Sequence, residues 1–312
     1  MQQGLSETPV RLCILGRHGQ LAMAAHEKAR ALGWQVEAWG RREIDMLDLG
    51  QLRLRLQELR PHIILNAAAY TAVDKAEEEP QAALALNRDA AANIARACAE
   101  LAVPLVHIST DYVFDGRKVE PYIEEDEPSP LNVYGRSKLA GEERVREILD
   151  QHVIVRTSWL FSPWGRNFVR TMVRLAQERS ELRVVADQQG NPTYVPHLAD
   201  ALLAMMQRLL LAAPEEQAGM WGTYHLAGSG EATWHELAQA VVSAAASFTG
   251  RNPIVKPIPS AEYPTPAPRP TNSRLDCSKF LNTFGLALPF WQEGVRACVQ
   301  RLCAHETGEK SS

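Results

Sequence analysis

A chain of 312 residues is long enough for one large or two modest domains with a real core. Its 46% apolar and 22% charged residues are ordinary for a soluble enzyme, and a net charge of −4 without a long basic block argues against nucleic acid or a membrane surface as partner. No apolar run approaches the roughly 20 residues that span a bilayer.

Met1 to Pro9 are mostly polar and lack a charged n-region, so no signal peptide is expected there. Val10 to Leu15 reads as a short buried strand ending at Gly16, with a helix from Gln20 to Leu32 that Gly33 stops. A second strand follows at Val36 to Trp39, a helix at Leu52 to Leu59, and a third strand at His62 to Leu65. The alanine-rich segment Gln81 to Leu101 predicts one long helix, and Pro104 to Ser109 a fourth strand. After Pro130 a helix runs to about Leu149, and Val153 to Thr157 gives a fifth strand. Beyond that the alternation fades into helices near Phe168–Glu178, Leu198–Leu211, Trp234–Ser247 and Phe290–Leu302. The proline-rich stretch Pro253 to Pro270 is expected to be an ordered loop on the substrate side, neither helix nor central strand. The acidic runs Glu77-Glu78-Glu79 and Glu124 to Glu127 read as solvated turns.

Short buried strands alternating with helices predict an α/β fold, a doubly wound parallel sheet of Rossmann type covered on both faces. Residues 1–160 are assigned to this dinucleotide-binding unit. Residues 161–312 are assigned mainly to a smaller, mostly helical substrate domain, with some segments returning to the sheet. The five cysteines show no Cys-x-x-Cys spacing and read as reduced thiols in a cytoplasm. His235-Glu236 lacks the second histidine of a zinc helix, and no metal site is expected.

Gly16-Arg17-His18-Gly19-Gln20-Leu21-Ala22 follows the first strand directly and opens the first helix. That context suits a turn where the backbone approaches a pyrophosphate at a helix N-terminus. At the end of the second strand, a carboxylate would take a ribose 2′-hydroxyl; the sequence instead gives Trp39-Gly40-Arg41-Arg42. Two guanidinium groups suit a 2′-phosphate, so NADPH is expected, with NADH possible. Tyr134 and Lys138 stand one helical turn apart, which puts a phenol and an ammonium on one face. A phenol of pKa ~10 shuttles protons poorly near neutrality. A neighbouring cation favours the phenolate, and a drop of about 3 units would take about 4 kcal/mol.

These residues, with Asn66 to Glu77, Ser109 to Phe114, Pro130 to Gly135, Arg156 to Trp159, Gly190 to Thr193 and Arg269 to Leu275, give the chain a marked resemblance. It resembles the extended short-chain dehydrogenases/reductases, and among them the dTDP-4-dehydrorhamnose reductases, over nearly its whole length. The resemblance implies reduction of the C4 ketone of dTDP-4-dehydro-β-L-rhamnose. It implies that Tyr134 protonates the forming alkoxide, that Lys138 bridges the nicotinamide ribose hydroxyls, and that Thr110 donates a hydrogen bond to the substrate oxygen. It further implies cofactor contacts at Asp48, Leu49, Ala67, Ala68, Ala69 and Thr71. Trp159 is implied against the sugar, with a core tryptophan as the alternative. Asn167, Arg269 and Asn272 are candidates for the dTDP end, or else loop hydrogen-bonders.

Some relatives are thought to dimerise through a carboxylate-held metal. Here the corresponding segments read Pro196-His197 and Trp291-Gln292-Glu293, so Mg²⁺ is doubtful and a monomer or weak homodimer is expected. A dehydratase of this fold needs an acid and a base after the threonine, whereas Asp111 is followed by Tyr112. An epimerase favours an acidic residue after the second strand. A reductase of a related 6-deoxy-4-keto sugar, or a non-catalytic subunit like the β-subunit of methionine adenosyltransferase, stays open.

Overall fold

The computed structural model describes residues 9–308, with side-chain surroundings through Ala304; the expectation for Met1 to Thr8 lies outside the described residues. β1 (Arg11–Leu15) buries its last four residues, and α1 (Gln20–Ala31) turns Leu21, Ala22, Ala24, Ala25 and Ala29 inward. That apolar stripe is what docks a helix on a sheet. β2 (Gln35–Trp39) follows, then α2 (Leu49–Leu59), whose first turn is capped by the Asp48 carboxylate accepting from Gln51 N at 3.0 Å. β3 (Ile63–Asn66) is buried throughout.

The expected single helix over 81–101 is not single. Two short helices, α3 (Val73–Glu78) and α4 (Pro80–Leu84), lead into one π-helical turn at Ala85–Asp89 before α5 (Ala90–Leu101). The extra residue turns Asn87 inward, where its amide meets Tyr70 N (2.8 Å), Tyr70 O (3.1 Å) and Ser137 Oγ (2.8 Å). Such turns occur where a helix must re-aim a side chain. β4 (Leu105–Thr110), α6 (Val133–Ile148) and β5 (His152–Thr157) complete the first part of the fold.

After β5 come β6 (Leu160–Phe161), α7 (Phe168–Glu178), β7 (Glu181–Val185), β8 (Gln189–Gly190), β9 (Thr193–Tyr194), α8 (Val195–Leu211) and α9 (Pro214–Gln217). They are followed by β10 (Gly222–His225), β11 (Ala232–Thr233), α10 (Trp234–Thr249), β12 (Ile254–Ile258), α11 (Ser278–Phe284) and α12 (Trp291–Gly308). The main sheet runs β10-β5-β4-β3-β1-β2, and its strand pairs are parallel. The strand order therefore reverses between β1 and β3, and a ligand crevice opens outside the carboxyl ends of strands at such a point. One core packs α1, α8 and α11 on one face; a second packs α2, α5 and α6 on the other. A third core, among α7, α10 and α12, holds the smaller layer over the crevice.

Two readings of loops are corrected. The proline-rich stretch contains a strand, β12, paired in parallel with β7, and Pro257 stands opposite Val184. A two-stranded ribbon leaves the N–H side of each strand open, so proline costs no central ladder bond. The acidic runs are not merely solvated turns, and Glu77 and Glu78 lie in the last turn of α3. Glu77 accepts from Val133 N (2.7 Å) at the start of α6, and Glu124 accepts from His225 N (2.6 Å). Each carboxylate takes up a backbone donor that packing would otherwise strand.

Candidate active site

The crevice at the strand reversal is a cleft of about 460 Å³. One wall is the β1–α1 turn. Gly16 there adopts φ +101°, and a Cβ on it would lie 2.7 Å from Ala68 N and 2.9 Å from Ala67 C. Only glycine allows that turn to press against the segment after β3. Gly19 is different: its φ is −74°, and it serves as the N-cap residue of α1. Of the residues expected to hold a cofactor, Gly19, Gln20, Leu21, Ala67, Ala69 and Thr71 line the cleft together with Tyr134 and Lys138. Gly16 and Ala68 form its backing. His18, Arg41, Asp48 and Leu49 do not line it; Arg41 and Arg42 are exposed beyond β2. Glu43 is engaged by Gly40 N at 2.9 Å and by Arg17 at 3.1 Å.

The opposite wall carries the reactive groups. Asn132 caps α6 by accepting from Gly135 N (2.8 Å), which sets Tyr134 in the first turn and Lys138 one turn on. Thr110, at the last position of β4, bonds through Oγ1 to Asp111 Oδ1 (3.0 Å) and accepts from Tyr112 N (3.2 Å). It also stands beside the Tyr134 phenol. Burial pushes that phenol up to about 12, against the pull of Thr110. The expected lowering by Lys138 is therefore absent in the chain alone, because desolvation outweighs it and the ammonium is aimed elsewhere. Lys138 Nζ donates to Ile108 O at 2.6 Å. Burial pulls Lys138 down to about 8, while the Glu142 carboxylate one turn further works to raise it. Asp111 is pushed up to about 7 by burial.

Side chains to which the sequence reading gave no role shape this wall. His107 Nε2 lies 3.4 Å from Lys138 Nζ, and its Nδ1 lies 2.9 Å from Asn66 Nδ2. The Asn66 amide is oriented by Ala68 N, which donates to Oδ1 at 3.1 Å. Nδ1 of His107 is then an acceptor, and the neutral ring carries its proton on Nε2, facing the lysine. Burial keeps that ring neutral, well below the usual imidazole range. A ring N–H disfavours an ammonium opposite it, so His107 links the cofactor-side loop to the charge of Lys138. Glu142, fully buried, accepts from Arg156 Nη2 (2.7 Å) and Arg146 Nη1 (3.1 Å) as well as from Ser109. No short motif marks these contacts; only the Tyr134, Lys138, Glu142 spacing on one helix face hinted at the last.

The smaller layer closes the cleft with aromatic rings. Trp159 adopts φ +47°, rare for so bulky a residue, and its backbone carbonyl accepts from Thr193 N at 3.1 Å. Its indole stacks on Trp234 with centroids 3.6 Å apart and planes 7° apart, and Phe168 tilts against Trp234. The three remaining substrate candidates are turned inward. Asn167 caps α7 through Arg170 N (3.0 Å), and its amide bonds Gln20 Oε1 (3.0 Å) and Ser162 O (2.8 Å). Arg269 makes a bidentate pair with Asp74 (3.0 and 2.9 Å) behind Tyr112. Asn272 donates to Lys118 O (2.7 Å) and Glu120 O (3.0 Å). None of the three lines the cleft.

Residues 10–304 match the family model described as RmlD substrate binding domain. The dTDP-4-dehydrorhamnose reductase of Sinorhizobium fredii is 46% identical over 293 residues, covering 94% of this chain and 98% of the relative. That of Burkholderia thailandensis is 40% identical over 299 residues, covering 94% and 99%. The chain belongs to the dTDP-4-dehydrorhamnose reductase family. A crystal structure of the Bacillus anthracis family member in complex with NADP superposes with a TM-score of 0.84 at 38% identity, covering 94% of this chain and all of that one. A UDP-glucose 4-epimerase of Thermus thermophilus, 22% identical with a TM-score of 0.75 over 94% of this chain and 99% of that one, shares the fold.

Proposed function

We propose that this chain reduces the C4 ketone of dTDP-4-dehydro-β-L-rhamnose to dTDP-L-rhamnose, with NADPH as reductant. The observation that carries the reading is the convergence of Thr110, Tyr134 and Lys138 on one wall of a cleft whose other wall is a glycine-shaped strand-to-helix turn. That turn fits a dinucleotide: a side chain on Gly16 would fill the space where backbone must approach a pyrophosphate. NADPH bound there supplies the hydride that adds to C4.

Tyr134, protonated across the physiological range, gives its proton to the carbonyl oxygen as the C–H bond forms. Thr110, by turning its hydroxyl away from Asp111 Oδ1, donates a hydrogen bond where negative charge develops. Lys138, whose ammonium donates to Ile108 O in the chain alone, would turn to the nicotinamide ribose hydroxyls and to the phenolate left behind, and so favour its reprotonation from water. Trp159 and Trp234, stacked on each other, line the cleft with aromatic surface for the sugar. Gly16, His18, Gly19, Gln20, Leu21, Asp48, Leu49, Ala67, Ala68, Ala69 and Thr71 are assigned to the cofactor. The exposed guanidinium groups of Arg41 and Arg42 favour NADPH over NADH, a preference in keeping with the NADP-bound relative. The reading requires no Mg²⁺. It places the enzyme in the cytoplasm as a monomer or weak homodimer, with Cys13, Cys98, Cys277 and Cys298 as free thiols suited to a reducing compartment.

The test is coupled synthesis of the 4-keto sugar from dTDP-glucose, followed by addition of this protein and NADPH. Absorbance of NADPH should fall stoichiometrically, and NMR should identify an L-rhamnosyl product. A different C4 epimer, or no oxidation of NADPH, would refute the assignment.

A further inference from the structure

Reduction at C4 leaves the far end of the substrate, a dianionic diphosphate, to be held. Among the described residues lining the cleft only Lys138 and Arg166 are cationic. Lys138 is buried and donates to Ile108 O. Asn167, Arg269 and Asn272 have their donors committed inside the protein.

The Arg166 side chain is exposed and makes no hydrogen bond or ion pair with any described residue, yet its backbone is held from both sides. Gly165, at φ +65°, would place a Cβ 3.3 Å from Gln20 Cγ, and its carbonyl accepts from Arg170 Nη1 at 3.1 Å. Asn167, next along the chain, caps α7 and bonds Gln20 Oε1. Arg170, the neighbouring cation, is tied back to Pro163 O (3.1 Å) as well. A rigid loop thus offers one uncommitted guanidinium to the cleft, beside Phe168 and Trp234.

We propose that Arg166 grips the diphosphate of the sugar nucleotide and so determines affinity for the nucleotide half of the substrate. The inference rests on the reductase reading above. A planar guanidinium offers paired donors to phosphate oxygens, and bonds between two charged groups are the stronger kind. The cofactor's pyrophosphate, by contrast, is served by backbone N–H groups of the β1–α1 turn.

The test titrates dTDP calorimetrically into NADPH-loaded protein, for the wild type, Arg166→Gln and Arg166→Lys, with NADPH affinity of each measured by fluorescence. The Gln variant should bind dTDP roughly 10–100-fold more weakly, the Lys variant should lose less, and NADPH affinity should stay within about twofold. The proposal is overturned if the Gln variant keeps wild-type dTDP affinity, or if the loss falls on NADPH instead. Failure of the reductase reading looks different: wild-type protein would itself neither bind dTDP nor oxidise NADPH with the 4-keto sugar.

Discussion

Tyr134 and Lys138 illustrate how burial rearranges the acid–base chemistry expected from their spacing. With the phenol near 12 and the amine near 8, the resting pair is a neutral phenol and a lysine that loses its proton just above neutrality. The lysine is charged below about 8 and can then stabilise the phenolate that proton donation leaves. Raising the pH through that value removes the positive charge. The expected kcat/KM profile therefore falls above about pH 8 as the lysine loses its charge. A profile still level at high alkaline pH would contradict the role given to Lys138. Tyr134→Phe should lower single-turnover NADPH oxidation by about 10²–10⁴-fold, the usual worth of a positioned general acid, while NADPH still binds. At this scale the sequence showed the pair but not its environment. His107 sits three positions before Thr110 in an ordinary strand, and nothing in its neighbours reveals that its ring faces Nζ of Lys138.

At the level of elements, α6 is the organiser. Its inner face carries Tyr134, Lys138 and Glu142, and the last of these is locked to Arg156 on β5 and Ser109 on β4. Burial works to raise the Glu142 carboxyl, but Arg156 and Ser109 hold it below the usual range, so it stays ionised. Glu142→Gln would leave Arg156 buried without its counter-charge, at a cost of about 3–5 kcal/mol. Denaturant melts should show the midpoint fall without a change in slope. Equal stability of variant and wild type would mean the pair is not structural. A second element-scale contact joins the two layers: a Cβ at Gly190 would lie 2.4 Å from Trp159 Cε2. Gly190→Ala should cost about 1–3 kcal/mol as an overpacked site. It should also raise KM for the sugar nucleotide more than for NADPH, and steady-state kinetics with each substrate varied would show the split. An unchanged sugar-nucleotide KM would argue that the Trp159 shelf does not meet the sugar.

Across the whole molecule, the cofactor choice proposed above would be made at the edge of the sheet, far in sequence from Tyr134. β2 is an edge strand in the order β10-β5-β4-β3-β1-β2, and Arg41 and Arg42 lie just past its end. Arg41→Ala should reduce the ratio of kcat/KM for NADPH to that for NADH by about tenfold, the scale of one lost charge-assisted contact. Kinetics with both nucleotides measure it, and an unchanged ratio would assign the 2′-phosphate elsewhere.

The sequence by itself determined the alternating strands and helices of the first half, the glycine turn after β1, and the shared helix face of Tyr134 and Lys138. Each of these is written in local periodicity or in the conformational freedom of one residue, and short-range sterics act the same way wherever the segment ends up. What the tertiary structure decided was partnership. Asp74 and Arg269, far apart in the chain, become a bidentate pair, Asn167 turns to Gln20, and one helix breaks into a π turn to deliver Asn87 to Ser137. A polar side chain can satisfy its hydrogen bonds in many ways of nearly equal worth, so its choice is made by whichever groups packing brings within about 3 Å. That is why the sequence around Arg269 reads alike for a diphosphate ligand and for a loop partner, while in the folded chain its guanidinium meets a carboxylate and Arg166 has no partner among the described residues.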